Sequence, residues 1–376
     1  MNYKLIATTP MGLESIVKDE VIELGYEPTV ENGKVIFEGG DEAIAKANIH
    51  LRCADRVKLV VGEFKATTFD ELFTKTKDLP WEHFISEKGK FPVNGKSHKS
   101  TLYSVPDCQS IVKKAIVERL KQAYNINGWL SETDEEYKIE VAILKDTVTI
   151  TLDTSGSGLH KRGYRVEQGE APLKETLAAA LVKLTKWTGD TPLIDPFTGS
   201  GTIAIEAALI AQNIAPGFNR SFASEQWKFI DQSVFESVRT KAETNELLDR
   251  DIEIYAHDID HNMIQMAERN AMEAGLSGVI QFKQMNAMDL SLTKPTGIIV
   301  CNPPYGERIG DVEKIEDVYR HIVNLYKENE YWSVYLMTSF EGFEDLVDKK
   351  ATKRRKLFNG YLETTFYQYF GKKFRK

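Results

Sequence analysis

The sequence contains little cysteine and no long apolar run. Its 376 residues include three cysteines, Cys53, Cys108 and Cys301, which are too few and too widely spaced for a disulfide framework or a zinc site. No segment approaches the roughly 20 apolar residues that a membrane-spanning helix needs, and the N-terminus lacks the apolar core of a signal peptide. These absences argue against secreted, disulfide-stabilised and membrane-spanning classes, and they predict a protein of a reducing cytoplasm.

An excess of positive charge is also missing, because the formal net charge is −8. The basic residues are nevertheless concentrated in residues 88–121, with eight against two acids, and in residues 349–376, with ten against one. Phosphate binding depends on such local patches more than on net charge. The alternative for either segment is a solvated face. The lysines that we predict to contact nucleic acid are Lys96, Lys99, Lys113, Lys114 and Lys121.

Hydrophobic periodicity divides the chain into four regions. Residues 1–66 follow the order β-α-β-α-β, which is typical of a ferredoxin-like segment. Residues 67–155 form a second α+β module, and residues 156–173 are a glycine-rich connector. In residues 174–376 strands alternate with helices, which predicts a doubly wound parallel sheet with ligands at its carboxyl edge.

Several elements of these regions can be predicted individually. In the second module, residues 90–93 and 102–105 are strand candidates, and the apolar spacing of residues 107–123 predicts a helix. Two-residue turns are predicted at Lys145-Asp146 and at Asn359-Gly360.

A glycine-rich loop, Asp195-Pro196-Phe197-Thr198-Gly199-Ser200-Gly201-Thr202, joins a predicted strand to a helix. Glycines let the backbone approach a ligand closely, and a helix N-terminus attracts negative charge. The loop lacks both the G-x-G-x-x-G spacing and the Gly-Lys-Ser/Thr of a P-loop, which argues against nicotinamide and triphosphate ligands. An adenosyl ligand with an amino-acid tail fits better, and the alternative is an ordinary strand-to-helix turn. The predicted binding residues are Asp195, Phe197, Thr198, Gly199, Gly201 and Thr202.

Polar residues also end the next two predicted strands. Asp258, which Ile259 follows, can accept hydrogen bonds from both hydroxyls of a ribose. The side-chain carbonyl of Asn286 and the backbone NH of Ala287 can read an adenine edge, with Asp289 as the alternative to Asn286. Their order at successive strand ends predicts that these residues complete the same cofactor site.

The tetrapeptide Asn302-Pro303-Pro304-Tyr305 follows an apolar strand at the same edge. The carbonyls of the Asn302 side chain and of the Pro303 backbone can both accept hydrogen bonds from one amino group. The two prolines stiffen the loop, and Tyr305 offers a face on which a base can stack. This pattern indicates a clamp for an exocyclic amine, in which Asn302 also borders the cofactor. The alternative is a proline-rich turn, and Cys301 is expected to be core rather than nucleophile.

These motifs together resemble a class I S-adenosylmethionine-dependent amino methyltransferase. The continuation of the tetrapeptide through Gly306-Glu307-Arg308, with G-L-H-K-R-G-Y-R at 158–165 and A-P-L-K-E-T-L-A-A-A-L at 171–181, narrows the resemblance. Nearly the whole chain is similar to the bacterial RlmL-type large-subunit ribosomal RNA guanine-N2 methyltransferases.

The resemblance implies an α/β fold. A class I (Rossmann-like) methyltransferase domain at 174–376 would follow a ferredoxin-like segment at 1–66 and a THUMP RNA-binding domain at 67–155. Bifunctional members of the family carry a second methyltransferase domain, whose activity we expect these 376 residues to lack.

The resemblance also implies methyl transfer from S-adenosylmethionine to a guanine N2 amine in 23S ribosomal RNA, with S-adenosylhomocysteine as product and no metal. The implied partner is ribosomal RNA or a large-subunit precursor particle. Arg162 and Arg308 are further candidates for RNA contacts, although either could instead brace a loop. Asn286 departs from the aspartate that many relatives have there. The remaining alternatives are adenine-N6 methylation of DNA, glutamine methylation of protein, and a non-catalytic role in RNA binding or ribosome assembly.

Overall fold

The computed structural model describes residues 1–165, 173–305 and 312–374, without the side chains of residues 312–314. The chain divides into two compact units. The first consists of Met1–Thr9, Lys18–Leu159 and Arg220–Lys241, and the second of Pro10–Val17, His160–Asn219 and Ala242–Lys376. Each unit therefore includes one short segment that is distant in sequence from the rest of it.

The first unit is built on a seven-stranded sheet with the order β2-β3-β1-β4-β7-β6-β5. The regions predicted as a ferredoxin-like segment and a second module share this sheet, because β4 pairs with β1 on one side and with β7 on the other. The strands are β1 (Tyr3–Thr8), β2 (Thr29–Glu31), β3 (Lys34–Gly39), β4 (Arg56–Lys65), β5 (Val93–His98), β6 (Ile139–Leu144) and β7 (Thr147–Asp153). The helices in this part of the chain are α1 (Glu14–Glu23), α2 (Asp41–His50), α3 (Phe69–Lys77) and α4 (Val105–Tyr124).

Two strand predictions in the second module are wrong. The strand expected at residues 90–93 begins only at Val93, and residues 102–105 lead into α4. Pro106 lies in the first turn of α4, where the helix needs no backbone NH, so the helix begins two residues before the predicted start. The predicted turn between β6 and β7 is confirmed, because Lys145 and Asp146 both have the positive φ that a type I′ turn requires.

Residues 220–241 lie in the region predicted as the methyltransferase domain, yet they pack within the first unit. The Trp227 ring stacks on Tyr137 with 5.4 Å between ring centroids, and its indole NH donates to the Glu136 carbonyl oxygen at 3.0 Å. Lys228 forms an ion pair with Asp134 at 3.1 Å. This segment therefore contributes a buried aromatic side chain to a core that is otherwise built from residues before 160.

The second unit contains the predicted doubly wound sheet. Its order is β10-β9-β8-β11-β12-β14-β13, in which β14 and β13 are antiparallel to their neighbours and the other strands are parallel. The strands are β8 (Leu193–Asp195), β9 (Ile254–Asp258), β10 (Ile280–Gln284), β11 (Gly297–Cys301), β12 (Trp332–Thr338), β13 (Lys353–Asn359) and β14 (Leu362–Tyr369). The remaining helices are α5 (Glu175–Thr185), α6 (Thr202–Ala211), α7 (Ser233–Thr244), α8 (His261–Glu273), α9 (Val312–Glu328) and α10 (Phe343–Leu346). The strand order reverses between β8 and β11, and such a reversal opens a crevice at the carboxyl edge.

The hairpin of β13 and β14 turns one residue later than predicted. Asn359 pairs with Leu362, so the two turn residues are Gly360 and Tyr361. Gly360 has a φ of +65° at the first turn position, where a type II′ turn requires glycine. The other hairpin aromatics pack largely into the core as expected, but Tyr361 is fully exposed. No helix in the described ranges is long and apolar enough to cross a membrane.

Candidate functional site

A cavity of about 530 Å³ lies at the carboxyl edge of the second unit's sheet. It contains ten of the eleven predicted cofactor residues, which come from loops after four parallel strands. These ten are Asp195, Phe197, Thr198, Gly199, Thr202, Asp258, Ile259, Asn286, Ala287 and Asn302. Leu173, Met263 and Val318 also line the cavity and were not predicted. Met263 and Val318 are apolar helix residues without a motif, and Leu173 lies just before α5, although the position of Met263 in the first turn of α8 could have indicated it.

Gly201 is the predicted cofactor residue that does not line the cavity. A Cβ atom there would stand 3.0 Å from the Ala267 Cβ and 3.3 Å from the Ala267 Cα. The positive φ of Gly201, +86°, begins α6, and its lack of a side chain lets α6 approach α8. Gly199 does line the cavity, and nothing lies within 4 Å of where its Cβ would be. The missing side chain at Gly201 therefore serves helix packing, whereas the one at Gly199 leaves the cavity open at that point.

The Asp195 carboxyl is the most strongly perturbed group in the cavity. It is fully buried, and its Oδ1 accepts a hydrogen bond from the Phe197 NH at 3.2 Å. No described residue donates a hydrogen bond of good geometry to its Oδ2. Burial raises the pKa of Asp195 to about 7, and the Asp258 carboxylate contributes to the increase, although the Thr198 side chain partly lowers the pKa of the carboxyl. A buried acceptor without a partner is costly, so this oxygen fits a ligand that brings a donor or a positive charge.

Asp258 holds the glycine loop and still has acceptor capacity. Its Oδ2 accepts from the Gly199 NH at 2.9 Å, and its Oδ1 accepts from the Asp260 NH at 3.0 Å. Asp260 in turn caps α8 by accepting from the Asn262 NH at 2.8 Å. Because a carboxylate has about four lone-pair positions, each Asp258 oxygen can accept one further bond, as from a ribose hydroxyl.

The Asn286 side chain also makes one hydrogen bond to the nearby backbone and keeps one acceptor position for a ligand. Its Oδ1 accepts from the Met288 NH at 3.0 Å and so caps the one-turn 3-10 helix Ala287–Asp289. One acceptor lone pair of the amide remains for a ligand. Asp289 lies outside this cavity and lines a second one of about 490 Å³. The geometry therefore favours Asn286 over Asp289 for reading an adenine edge.

The tetrapeptide follows β11 directly, and Asn302 and Pro304 reach the cavity, whereas Pro303 is buried. Asn302 is half-buried, and its Oδ1 accepts a short hydrogen bond from the Tyr305 hydroxyl. Tyr305 was predicted only as a stacking face, and this bond gives its hydroxyl a role in fixing Asn302. Gly306, Glu307 and Arg308 lie outside the described residues.

A buried tyrosine that the sequence analysis missed supports the same loop. Tyr319 of α9 donates to the Pro304 carbonyl oxygen at 3.3 Å, and its hydroxyl lies 2.8 Å from the Thr338 Oγ1. Burial raises the pKa of Tyr319 to about 12, so the phenol stays protonated. Cys301 is fully buried in the core around Tyr319, and burial raises the pKa of its thiol well above the usual value. This supports the core role expected for Cys301.

The residues predicted to contact RNA divide into exposed and half-buried groups. Lys96, Lys99 and Lys114 are exposed, and Lys121 is half-buried. Lys113 is also half-buried, and its Nζ lies 2.6 Å from Glu132 and 3.4 Å from the Phe91 ring centroid. Burial lowers the pKa of Lys113, against an opposing effect of Glu132. Glu132 and the Phe91 ring already engage the Lys113 ammonium, so an RNA contact at Lys113 stays a prediction.

Arg162 must be reassigned. Its side chain is only 3% exposed, and its Nε lies 3.3 Å from Glu206 Oε1, which also accepts from the Tyr164 hydroxyl at 3.1 Å. A guanidinium enclosed in this way cannot contact RNA without breaking a buried ion pair. The stated alternative, a bracing role, fits Arg162 better. Arg308 falls outside the described residues.

Arg165 connects this buried network to the cavity. Its Nη2 donates to the Thr202 Oγ1 at 2.9 Å and to the Leu173 carbonyl oxygen at 3.0 Å, and both acceptors belong to cavity-lining residues. Its Nε lies 3.5 Å from Glu175. Because Thr202 Oγ1 accepts from Arg165, its own hydrogen can turn either to the Ser200 Oγ, which lies 3.2 Å away, or to a ligand. Among the described residues, no group of three or more His, Cys, Asp or Glu side chains is placed to hold a metal ion.

The chain matches three family models. Residues 162–368 match the UPF0020 family, described as the RMKL-like methyltransferase domain. Residues 4–58 match the RlmL ferredoxin-like domain, and residues 66–153 match the THUMP domain. The chain belongs to the UPF0020 methyltransferase family. The resemblance predicted from the motifs, the class I fold and the cofactor S-adenosylmethionine are confirmed.

Two curated relatives show the extent of the similarity. "Putative RNA methyltransferase YpsC" of Bacillus subtilis (strain 168) is 58% identical over 371 residues, covering 98% of this chain and 96% of the relative. "Ribosomal RNA large subunit methyltransferase K/L" of Shewanella sp. (strain W3-18-1) is 32% identical over 370 residues, covering 96% of this chain. The chain spans about half, 52%, of the length of that K/L relative.

Two solved structures are similar over almost the whole chain. One is described as a predicted N6-adenine-specific DNA methylase from Listeria monocytogenes str. 4b F2365, with 56% identity and a TM-score of 0.95 over 99% of this chain and 97% of that one. The other is SMU.472 complexed with S-adenosylhomocysteine, with 42% identity and a TM-score of 0.95 over 100% and 99%. These descriptions leave RNA and DNA as competing acceptors.

Proposed function

We propose that this chain transfers a methyl group from S-adenosylmethionine to the exocyclic N2 amine of a guanine in 23S ribosomal RNA, as free RNA or in a large-subunit precursor particle. The observation that carries this proposal is the position of Asn302, which belongs both to the amine clamp and to the lining of the cofactor cavity. An amine bonded to Asn302 would therefore lie beside the methyl donor. The THUMP match and the names of the relatives support RNA as the acceptor.

The residues of the cavity fit the three parts of the cofactor. The free acceptor positions of Asp258 would hold the ribose hydroxyls, and Asn286 with the Ala287 NH would read the adenine. The hydroxyl of Thr202 and the N-terminus of α6 would receive the carboxylate of the amino-acid tail. The Asp195 Oδ2 would accept from the ammonium group of that tail. The cofactor supplies a methyl group bonded to a positively charged sulfur.

Asn302 and the Pro303 carbonyl would orient the guanine amine, whose lone pair is conjugated with the ring. Two acceptors favour the more positive nitrogen that develops as the N–CH₃ bond forms and the S–CH₃ bond breaks. The displaced amine proton passes to solvent, because an amide cannot accept it. The Tyr305 hydroxyl restrains Asn302, and its ring would stack on the base. Alignment of amine and methyl group would account for much of the rate enhancement.

Four lysines of the first unit, all at least partly exposed, would bind the RNA backbone. Lys96 lies within β5, the strand that ends the sheet order, and Lys99 directly follows that strand. Lys114 and Lys121 lie on α4. Neither Lys99 nor Lys114 has an ion-pair partner in the described ranges, so both are available for phosphates. Lys96 forms an exposed ion pair with Glu140 at 3.0 Å, which a phosphate could replace.

The second candidate is adenine-N6 methylation of DNA, because the same tetrapeptide can hold an adenine amine and a similar structure carries that description. The experiment is deletion of the gene, followed by mass spectrometry of nucleosides from large-subunit RNA and from genomic DNA. We expect loss of one N2-methylguanosine in the RNA. Unchanged RNA together with loss of N6-methyladenine from DNA would show that the RNA assignment is wrong.

The clamp can be tested separately with purified protein. Asn302→Ala should lower kcat by about 10²–10³, the usual effect of losing an acceptor or donor matched to transition-state charge. Its affinity for S-adenosylhomocysteine, measured by calorimetry, should stay within a few-fold. Tyr305→Phe, which removes the restraining hydroxyl but keeps the ring, should lower kcat by only about tenfold. A loss of cofactor binding in Asn302→Ala would place Asn302 in the cofactor site alone.

A further inference from the structure

The hairpin of β13 and β14 leaves the sheet at the same edge as the amine clamp. Cys301, the last residue of β11, is level with Leu336 of β12, and Leu336 is level with Tyr367 of β14. Since β14 is antiparallel to β12, its N-terminal residues extend past the carboxyl ends of the parallel strands. The turn that precedes β14 therefore projects on the side where Asn302 begins.

The strand register also gives the distance by which this turn extends past the end of β12. The last residue of β12, Thr338, pairs with Thr365, and Tyr361 precedes Thr365 by four residues. At roughly 3.4 Å per residue, the turn extends about 14 Å beyond the end of β12. Two strand spacings separate β14 from β11, or about 10 Å across the sheet. The distance between Tyr361 and Asn302 is therefore one that a few nucleotides of RNA can span.

The side chain at the tip is an aromatic ring that nothing in the described structure covers. Tyr361 is fully exposed, and it forms no ring contact with a described residue. Its backbone is fixed by the Gly360 turn and by the pairing of Asn359 with Leu362. A ring presented on a rigid turn with only two side-chain torsions loses little entropy when a base stacks on it.

The charge of the hairpin suits a phosphate backbone. Residues 353–369 carry four basic side chains, Lys353, Arg354, Arg355 and Lys356, against one acid, Glu363. Lys353, Arg354 and Lys356 are exposed, and one Arg355 NH donates to the Gly12 carbonyl oxygen at 2.9 Å. Arg354 pairs with Glu344 at 3.1 Å and Lys356 with Glu363 at 2.6 Å, and a phosphate can replace either exposed ion pair. The exposed side chains of β13 therefore extend from the turn along the strand, whose backbone near Lys356 is approached by Gly12.

We propose that this hairpin is an RNA-binding surface of the catalytic unit, with the Tyr361 ring stacked on an unpaired base near the target guanine. Lys353, Arg354 and Lys356 follow the adjoining phosphates. This inference rests on the proposed function, because it names where the RNA lies beside the same clamp. Stacking tolerates any base, so the surface supplies position and affinity rather than sequence selection.

The test measures binding of a fluorescein-labelled, mixed-sequence single-stranded RNA of twelve nucleotides by anisotropy at low salt. Tyr361→Ala should raise the dissociation constant about tenfold, whereas Tyr361→Phe and Tyr361→Trp should stay within about twofold of the wild type. Met272→Ala, which removes an exposed side chain of α8, is the matched control and should bind as the wild type does. Affinity for S-adenosylhomocysteine should be unchanged in all variants.

Turnover on ribosomal RNA purified from cells that lack the gene provides the second measurement. Tyr361→Ala should raise KM with little change in kcat. Wild-type binding and KM in Tyr361→Ala, or an equal loss in Tyr361→Phe, would overturn the stacking proposal while leaving the proposed function intact. Binding of the hairpin to anionic lipid vesicles in place of RNA would overturn it as well. If the wild type methylates no ribosomal RNA, the proposed function itself fails.

Discussion

The buried Asp195 carboxyl predicts an unusual dependence of stability on pH. Its pKa is about 7 in the folded chain, against an ordinary value of 3.8. Because the folded value is raised, the proton on Asp195 favours the folded state fully below pH 4, and this contribution is lost as the pH rises through 7. The difference of about three pH units corresponds to about 4 kcal/mol. Between pH 5 and pH 8 the loss is about 3 kcal/mol.

The substitution Asp195→Asn removes this titration but keeps an acceptor for the Phe197 NH. Scanning calorimetry of the cofactor-free proteins from pH 5 to pH 8 would follow the unfolding of the second unit. The Tm of Asp195→Asn should rise relative to the wild type by roughly 6–12 °C over this range, since 1 kcal/mol shifts Tm by about 2–4 °C in a domain of this size. Because the two proteins are compared at each pH, the titration of the other acidic groups cancels in the difference between their Tm values.

Asp249→Asn serves as the control, because it removes one negative charge from an exposed position of the same unit. The reasoning about Asp195 is refuted if the Tm difference between wild type and Asp195→Asn is constant from pH 5 to pH 8. It is also refuted if the wild type gains stability over the variant as the pH rises.

Two further predictions concern the cofactor tail and the RNA. Arg165→Met should weaken S-adenosylhomocysteine binding at least tenfold in calorimetry, because Thr202 loses the donor that orients its hydroxyl. The affinity for 5′-methylthioadenosine, which lacks the amino-acid tail, should be unchanged. Equal losses of affinity for both ligands would indicate general damage to the fold. Charge reversal at Lys99 and Lys114 should weaken RNA binding and flatten its salt dependence by roughly 0.7 per lost phosphate contact. Reversal at Lys113, whose Nζ is held by Glu132, should instead lower Tm.

Much of the second unit could be predicted because its motifs lie at strand ends. Asp195, Asp258 and Asn302 each follow an apolar run, and the parallel arrangement brings such ends to one edge. The loops between the strands were harder to predict. The prediction of a strand at residues 102–105 was wrong because the β-forming side chains there precede a proline in the first turn of a helix. The local sequence pattern alone does not show whether a strand or the start of a helix is more stable.

The errors in the site have a common physical origin. Arg162 has the sequence context of a solvated basic residue, and only the fold brings Glu206 to it from 44 positions away. Gly201 belongs to a ligand-binding motif, but its contact with Ala267 is set by helix packing. Tyr319 has no motif at all, because its hydroxyl acts on the Pro304 loop through tertiary structure. Sequence patterns identify chemical groups, whereas their partners depend on distant segments.

The exchange of short segments between the two units has a consequence for how the chain can be made or divided. During synthesis, Trp227 follows Tyr137 by about 90 residues, so the first unit cannot finish folding until residues 160–219 of the second unit have also been made. A fragment ending at residue 159 would expose that aromatic surface, and one starting at residue 160 would carry Trp227 without it. Efforts to isolate an RNA-binding half or a catalytic half should therefore retain residues 220–241 in the former and residues 10–17 in the latter.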